Sequence, residues 1–300
     1  MIDLTDKSQL LDYLKANSLW AKHGLGQNFL VNKEVLSSII EAADIDPDDL
    51  IIEVGPGLGT LTQELVQKAE RVIGIEKDEK LAGLLPGFIK NNSDEILKQV
   101  QDDNSGAQDD DIKSKLEVIT GDILDVNVPE LVKDQMYKVV ANIPYYITSR
   151  IIRLFLELPS QPTTIVMLVQ KEVAERICAK PGEMSVLALS VQVYGKPEII
   201  EIVKKESFFP APAVDSAILR ISYIEYQYPR IPEKDLFRTI NIGFAAKRKT
   251  LANNLQSGFH IEKIQAEAYI EEIGLKPSAR AQELTLDNWT DLTKVLNEHK

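Results

Sequence analysis

Cysteine and histidine are nearly absent from this 300-residue chain, and each shortage excludes something. The single cysteine, Cys178, rules out an internal disulfide and fits a reducing cytosol. It lies in KEVAERICA, an amphipathic stretch in which a small buried apolar residue is its plainest role. His23, His260 and His299 are scattered, so the sequence shows no metal-ligand cluster. Long apolar runs are also missing. None approaches membrane-spanning length, and the N-terminus, MIDLTDKSQLLDYLKANSLW, lacks a basic-then-apolar leader pattern. A cytoplasmic chain without a membrane partner is expected. Positive charge is short as well: 34 Lys and Arg against 46 Asp and Glu give a net charge of −12. That balance argues against a polyanionic partner, because phosphate binding draws on lysine and arginine.

The charge average hides a local pattern. Residues 90–115 carry four basic and seven acidic residues, and 41–50 is acid-rich. Basic residues gather at Lys204-Lys205, at Lys247-Arg248-Lys249 and around Lys22. Over 229–300 the count is 11 basic to 10 acidic, so the C-terminal part is nearly neutral. Net charge therefore weakens a nucleic-acid reading without excluding it. Hydrophobic residues make up 44% of the chain, which marks it as globular, and the length suffices for two domains.

Two hydrophobic periods alternate over the first 200 residues. Apolar runs at Leu50–Val54, Arg71–Ile75, Leu116–Thr120, Tyr137–Ala141 and Thr164–Val169 read as strands. Helical patterns lie between most of them, among them NKEVLSSIIEAA, where Asn32 can cap, and TLTQELVQKA. Strand and helix in repetition imply an α/β fold with a parallel sheet wrapped by helices. Pro197–Lys205 and Val214–Tyr223 have no helix between them and read as an antiparallel pair at the sheet edge. From Ile231 the text is helical: EKDLFRTINIGFAAKRKTLANNL, IEKIQAEAYIEEIG and LDNWTDLTKVLNEH. A linker near YQYPRIP thus divides a sheet domain, 1–228, from a small all-helical domain, 229–300. Asn91–Lys115 is polar and turn-rich where a few residues would suffice, and reads as a solvated insertion without chemistry.

IIEVGPGLGTLTQEL leaves a strand through Gly55, Gly57 and Gly59 and enters a helix. Glycines there let the backbone turn tightly and let a ligand approach. The spacing is one residue shorter than the dinucleotide form, and alone it is weak, since any tight strand–helix turn has the same look. Glu76, however, ends the next strand, where a carboxylate can accept both hydroxyls of a ribose. Asp122, after the third strand, can receive an amine from an adenine edge. Asn142 follows the fourth. Singly, each carboxylate is as well explained as a helix cap. Together they stand at the C-terminal ends of four consecutive strands, where open parallel sheets bind ligands.

Asn142-Ile143-Pro144-Tyr145 has the shape of the N-P-P-Y element of enzymes that methylate exocyclic amines of nucleic-acid bases. Such an amine is a poor nucleophile because its lone pair is delocalised into the ring. Acceptors on its two hydrogens favour a pyramidal nitrogen and free that pair. The Asn142 side-chain oxygen is one acceptor and the Ile143 carbonyl the natural second. Pro144 fixes the turn, and Tyr145 offers a face for the base, worth about 1–3 kcal/mol. Positioning then does most of the work. No strong general base is required, in agreement with the scarcity of histidine. Tyr146, next to the site, is read as a core residue.

The chain resembles the ribosomal RNA adenine dimethyltransferases of the KsgA type. The matching segments run nearly end to end: GLGQNFL, EVGPGLGTLT, IEKD, GDIL, NIPYYIT, VQKEVAERI, FFPAPAVDSAI and FAAKRKTLANNL. The set is specific, although GQNFL by itself could be a loop before the Asn32 cap. The resemblance implies a Rossmann-like, mostly parallel sheet with an antiparallel edge, and S-adenosylmethionine as methyl donor. It implies that Asn28 and Leu30 contact the donor, with Gly55 and Gly57 at its methionine part, Glu76 at its ribose and Asp122 at its adenine. Asn142 would bridge donor and target. The acceptors would be two adjacent adenosines near the 3′ end of small-subunit rRNA, within the small subunit or its precursor, each receiving two methyl groups from a monomeric enzyme. Phe209 would stack on the target base from the far side. Lys247, Arg248 and Lys249 would touch RNA from a predicted helix, although three successive residues span about 200° of arc and cannot share one phosphate. Departures are Lys247 in place of an arginine, which loses bidentate geometry, Arg150 where many relatives carry proline, and the missing Tyr-Gly pair in EMSVLALSVQ. Same-fold alternatives are a macrolide-resistance enzyme acting on large-subunit rRNA, a DNA adenine methyltransferase, and a non-catalytic nucleic-acid-binding factor. The intact glycines, Asn142 and Tyr145 disfavour the last, and the C-terminal matches disfavour the other two.

Overall fold

A computed structural model describes residues 2–21, 26–100 and 115–299, side chains of 93–100 excepted. Lys22 and the first residues of GLGQNFL lie outside the described residues. The chain divides into two compact units, Met1–Ala174 with Glu198–Ser222, and Glu175–Pro197 with Tyr223–Lys300.

The first unit is built on the expected strands. They are β2 (Leu50–Val54), β3 (Arg71–Glu76), β4 (Leu116–Thr120), β5 (Tyr137–Asn142) and β6 (Thr164–Gln170), all mutually parallel where paired. β7 (Lys196–Val203) and β9 (Ser216–Ser222) complete a seven-stranded sheet of order β4-β3-β2-β5-β6-β9-β7. β9 runs antiparallel to β6. Central strands buried on both faces are predominantly apolar. Leu50, Ile51, Ile52 and Val54 accordingly sit at 5% exposure or less. Helices cover the sheet through their apolar stripes: Lys33–Ala43 packs on β6 and β9, Thr60–Lys68 on β3, and Glu79–Val100 on β3 and β4. Asn32 caps the first of these, accepting from Val35 N at 3.1 Å. Strand order reverses between β2 and β5: β3 and β4 extend one way, β6 and β9 the other. A crevice opens at such a switch point, outside the carboxyl ends of the strands.

Three details differ from the sequence reading. The helix beginning at Glu79 continues to Val100, through the first ten residues of the supposed insertion. Asn92 explains part of this, since it is 2% exposed, exchanges hydrogen bonds with Ile2 and donates one to Gln63 Oε1. Residues 101–114, the rest of the insertion, lie outside the described residues.

The long helix expected over EKDLFRTINIGFAAKRKTLANNL is two, Glu233–Gly243 and Leu251–Phe259. Gly243 lies under Trp289, whose ring would stand 2.3 Å from any Cβ there. The buried Asn254 amide takes up the freed carbonyls of Gly243 and Ala246 at 2.6 and 3.3 Å. Thr250 caps the second helix. Lys247, Arg248 and Lys249 therefore occupy an exposed turn and not a helix.

A cut at 228/229 also misses how the helical unit is assembled. Tyr194 bonds Glu233 and stacks on Phe237, and Glu225 N donates to the Tyr194 carbonyl at 2.8 Å. Gly182 N donates to the Gln282 carbonyl at 2.8 Å. Residues 175–197 thus share a core with the C-terminal helices. Cys178 is half-buried.

Candidate active site

A cavity of about 220 Å³ opens at the switch point, between the glycine loop after β2 and the Asn142–Tyr145 segment after β5. Asn28, Leu30, Gly55, Gly57, Glu76, Asp122, Asn142, Ile143, Pro144 and Tyr145 all line it. The three loop glycines have positive φ, at +69°, +60° and +94°, yet different surroundings. Gly55 lies against Ile143, with a built Cβ 3.6 Å from Ile143 Cγ2 and 3.8 Å from the Asn142 carbonyl oxygen. At Gly57 nothing comes closer than Phe29 at 3.9 Å, so its missing side chain leaves open cavity. Gly59 is needed for packing, because a Cβ there would be 2.6 Å from Leu85 Cδ1.

Glu76 is 7% exposed and ties the loop to β3. Its Oε2 accepts from Gly57 N at 2.9 Å and its Oε1 from Asp78 N at 2.8 Å. Burial pushes its carboxyl up, and the backbone donors of Asp78, Gly57 and Lys77 hold it back. With Lys77 N as a third backbone donor, the carboxylate still has capacity for a further donor. Asp122 is more exposed and firmly ionised. Lys77 Nζ sits 2.8 Å from its Oδ2, and Leu124 N donates to its Oδ1 at 3.0 Å; both lower its pKa, Lys77 most. It is at once a cap of the short turn Ile123–Asp125 and a cavity-lining carboxylate.

Asn142 ends β5, and its carboxamide makes no hydrogen bond among the described residues. Tyr145 is tethered instead. Its hydroxyl lies 2.6 Å from Ser216 Oγ, a fully buried atom at the start of β9. The ring is thereby held by a strand two places along the sheet. Tyr146 does not join the core: it is 66% exposed at the cavity mouth.

The N-terminal segment closes one side. Gly26, at φ +62°, lies against Pro144, and Asn28 Nδ2 donates to the Gly26 carbonyl at 3.1 Å. Phe29 and Leu30 form a two-residue strand, β1, paired antiparallel with β8 (Phe208–Phe209). Phe209 is half-buried, faces Phe29 in that pairing, and carries the Lys7 ammonium 5.2 Å above its ring. It is not among the cavity-lining residues. Lys247, Arg248 and Lys249 belong to the other structural unit.

Sequence reasoning passed over several side chains around the cavity. Glu53 is the sharpest case, 1% exposed in a strand buried at every position, with Oε2 unpartnered. Burial raises its pKa from 4.5 to about 8, the Thr62 hydroxyl opposes the rise, and the neighbouring Glu76 adds to it. An acid inside an otherwise apolar run was the available signal. Lys77 also lines the cavity, as do Tyr146, expected in the core, and Arg150, noted in the sequence only as a departure from relatives. Ser216 carried no local signal, since its role depends on a contact across 71 residues.

The sequence profile described as ribosomal RNA adenine dimethylase matches residues 19–298. A ribosomal RNA small subunit methyltransferase A from Dehalococcoides mccartyi is 37% identical over 97% of this chain and 94% of its own. One from Lachnoclostridium phytofermentans is 34% identical over 99% of both. Among solved structures, a dimethyladenosine transferase from Plasmodium falciparum superposes with a TM-score of 0.71 at 24% identity, covering 90% of this chain and 98% of that one. The 23S rRNA methyltransferase ErmE does so with a TM-score of 0.66 at 25% identity, covering 90% and 100%.

Proposed function

The chain belongs to the ribosomal RNA adenine dimethylase family and is an rRNA adenine methyltransferase; from that premise we propose that it dimethylates two adjacent adenosines near the 3′ end of small-subunit rRNA, with S-adenosylmethionine as donor. The observation that carries the reading is the unpartnered Asn142 carboxamide at the end of β5, in one cavity with the glycine loop, Glu76 and Asp122.

The cavity suits the proposed donor. Gly57 leaves space that a Cβ would fill, and two carboxylates with free lone pairs stand at different points of the wall. Glu76 would hold the ribose hydroxyls, Asp122 the adenine amine, and Gly55, Gly57, Asn28 and Leu30 would enclose the remainder. When bound, the donor supplies an electrophilic methyl group on a sulfonium.

The chain's own residues prepare the acceptor. Asn142 Oδ1 and the Ile143 carbonyl would accept the two hydrogens of the adenine amine and favour a pyramidal nitrogen. Tyr145, its hydroxyl held by Ser216, would present a fixed ring to the unstacked base. Pro144 and Gly26 brace the turn that carries these groups. Orientation supplies most of the rate. No base is needed before attack, because the amine sheds its proton once the new bond has formed. Lys247, Arg248 and Lys249, exposed on their turn, are proposed to contact rRNA phosphates.

Labelled S-adenosylmethionine, incubated with small subunits lacking adenine dimethylation, tests the reading after digestion to nucleosides. Dimethyladenosine from small subunits only, lost with Asn142→Ala, is the expected result. Label confined to large subunits or duplex DNA would refute it.

A further inference from the structure

Within the helical unit a second hollow, of about 430 Å³, is lined by Lys180, Lys196, Tyr223, Gln227 and Tyr228, with Cys178 at its edge. The reaction at Asn142 uses none of them. Three features set this groove apart. Tyr223 is 79% exposed, a large aromatic with its ring in solvent. Its backbone has φ +53°, a left-handed conformation that a bulky side chain rarely adopts. The Gln227 carboxamide, which donates to the Tyr223, Glu225 and Tyr194 carbonyls, holds the segment in that shape. Both lysines are exposed and, among the described residues, unpaired, and the carboxylate beside the groove, Asp287, is taken by the Tyr228 hydroxyl. The carboxylate nearest in sequence to Lys196, Glu198, is bound to Arg220 at 2.8 Å.

An open aromatic face beside unpaired cations is the make-up of a site for single-stranded nucleic acid. The ring takes a base by stacking and the ammonium groups take flanking phosphates. We propose that this groove is a landing site for single-stranded RNA, with Tyr223 as the stacking platform and Lys180 and Lys196 on the phosphates. The inference rests on the rRNA substrate proposed above and adds a contact outside the methyl-transfer cavity. It also offers a way for a chain of net charge −12 to hold a polyanion: a local groove with two unpaired lysines takes the place of a basic surface. The strained backbone fits, because strain is retained where an exposed side chain has to be presented.

A fluorescent 12-nucleotide RNA containing no adenosine separates this groove from the methyl-acceptor site. Its affinity for the full-length protein is measured across a salt series, beside a duplex of the same sequence and a polyglutamate peptide. The wild type should bind the single strand best. Tyr223→Gly should weaken it roughly 5- to 150-fold, the loss expected for one stacked base. Its melting temperature should not fall, because glycine relieves the left-handed backbone. Changing Lys180 and Lys196 together to alanine should flatten the log–log salt slope by about 1.4. No wild-type binding, wild-type affinity in both variants, or preference for duplex or peptide would overturn the proposal. Methylation of small subunits by the wild type is assayed in parallel. Activity with unchanged RNA binding in the variants sinks only the groove, whereas absence of activity sinks the enzymatic reading.

Discussion

Alanine at Gly57 should remove ligand binding while nearly sparing the fold, and alanine at Gly59 should do the reverse. Both positions have positive φ, which costs an L-residue about 1–2 kcal/mol. At Gly57 that is the whole structural cost, because the nearest atoms to a Cβ are Phe29 Cε1 at 3.9 Å and the Gly55 carbonyl at 4.0 Å. The methyl group would stand in the cavity and meet only what binds there. The backbone N–H that donates to Glu76 is kept. At Gly59 the methyl group would lie 2.6 Å from Leu85 Cδ1 and 3.1 Å from Phe88 Cδ1. Overpacking adds about 1–3 kcal/mol to the backbone strain. For a domain of this size each kcal/mol moves the melting temperature by about 2–4 °C. Gly57→Ala should therefore melt about 2–8 °C low and bind S-adenosylhomocysteine at least about tenfold more weakly, a deficit of about 1.4 kcal/mol. Gly59→Ala should melt lower still, with its folded fraction binding closer to the wild type. Thermal melts and calorimetric titration of both variants decide the matter. Wild-type affinity in Gly57→Ala, or the opposite order of melting temperatures, would refute the assignment of one glycine to the ligand and the other to packing.

Three further outcomes are expected. Asn142→Ala should abolish turnover with little change in melting temperature, since its carboxamide supports nothing else among the described residues; a large loss of stability would show the residue to be structural. Ser216→Ala leaves the half-buried Tyr145 hydroxyl without its partner, and the freed ring should raise KM for rRNA while donor affinity, measured by titration, stays constant. Restoration by Ser216→Thr would support tethering, and equal loss of donor and rRNA affinity would contradict it. Glu53 makes stability depend on pH. Its folded pKa, about 8, lies above the ordinary 4.5, so between those values the unfolded chain binds fewer protons than the folded one. Stability should fall as pH rises through that window, by at most about 1.4 kcal/mol per unit. Glu53→Gln should flatten the dependence in urea titrations from about pH 5 to 8, and an unchanged slope would disprove it.

The strands and most helices were legible because their signals are local. A short run such as Leu50–Val54, apolar at four of five positions, reads as a buried strand, and Asn32 before an amphipathic stretch reads as a cap. The errors fell where distant contacts override local preference. GFAAKRKTLANNL has good helical composition, yet Trp289 above Gly243 and the Asn254 amide beneath the freed carbonyls break it into two helices. The polar text after Asn91 reads as loop, yet a hydrogen bond from Ile2 to the buried Asn92 helps to keep its beginning helical.

The candidate site divides in the same way. Residue types and their places at strand ends were determined by the sequence alone: glycines where the chain turns, Glu76 and Asp122 after successive strands, and an amide and tyrosine around a proline. A strand's own apolar run decides where it ends, and so which residues stand at the ligand-binding edge of a parallel sheet. Tertiary structure decided which of those residues meet. The reversal of strand order sets Gly55 against Ile143, far apart though they are in sequence. β9 brings Ser216 to the Tyr145 hydroxyl. Burial among neighbouring strands, and not the glutamate itself, raises the pKa of Glu53 to about 8. Chemistry is carried by side-chain type and can be read one residue at a time, whereas proximity and desolvation come from the packing of the whole sheet.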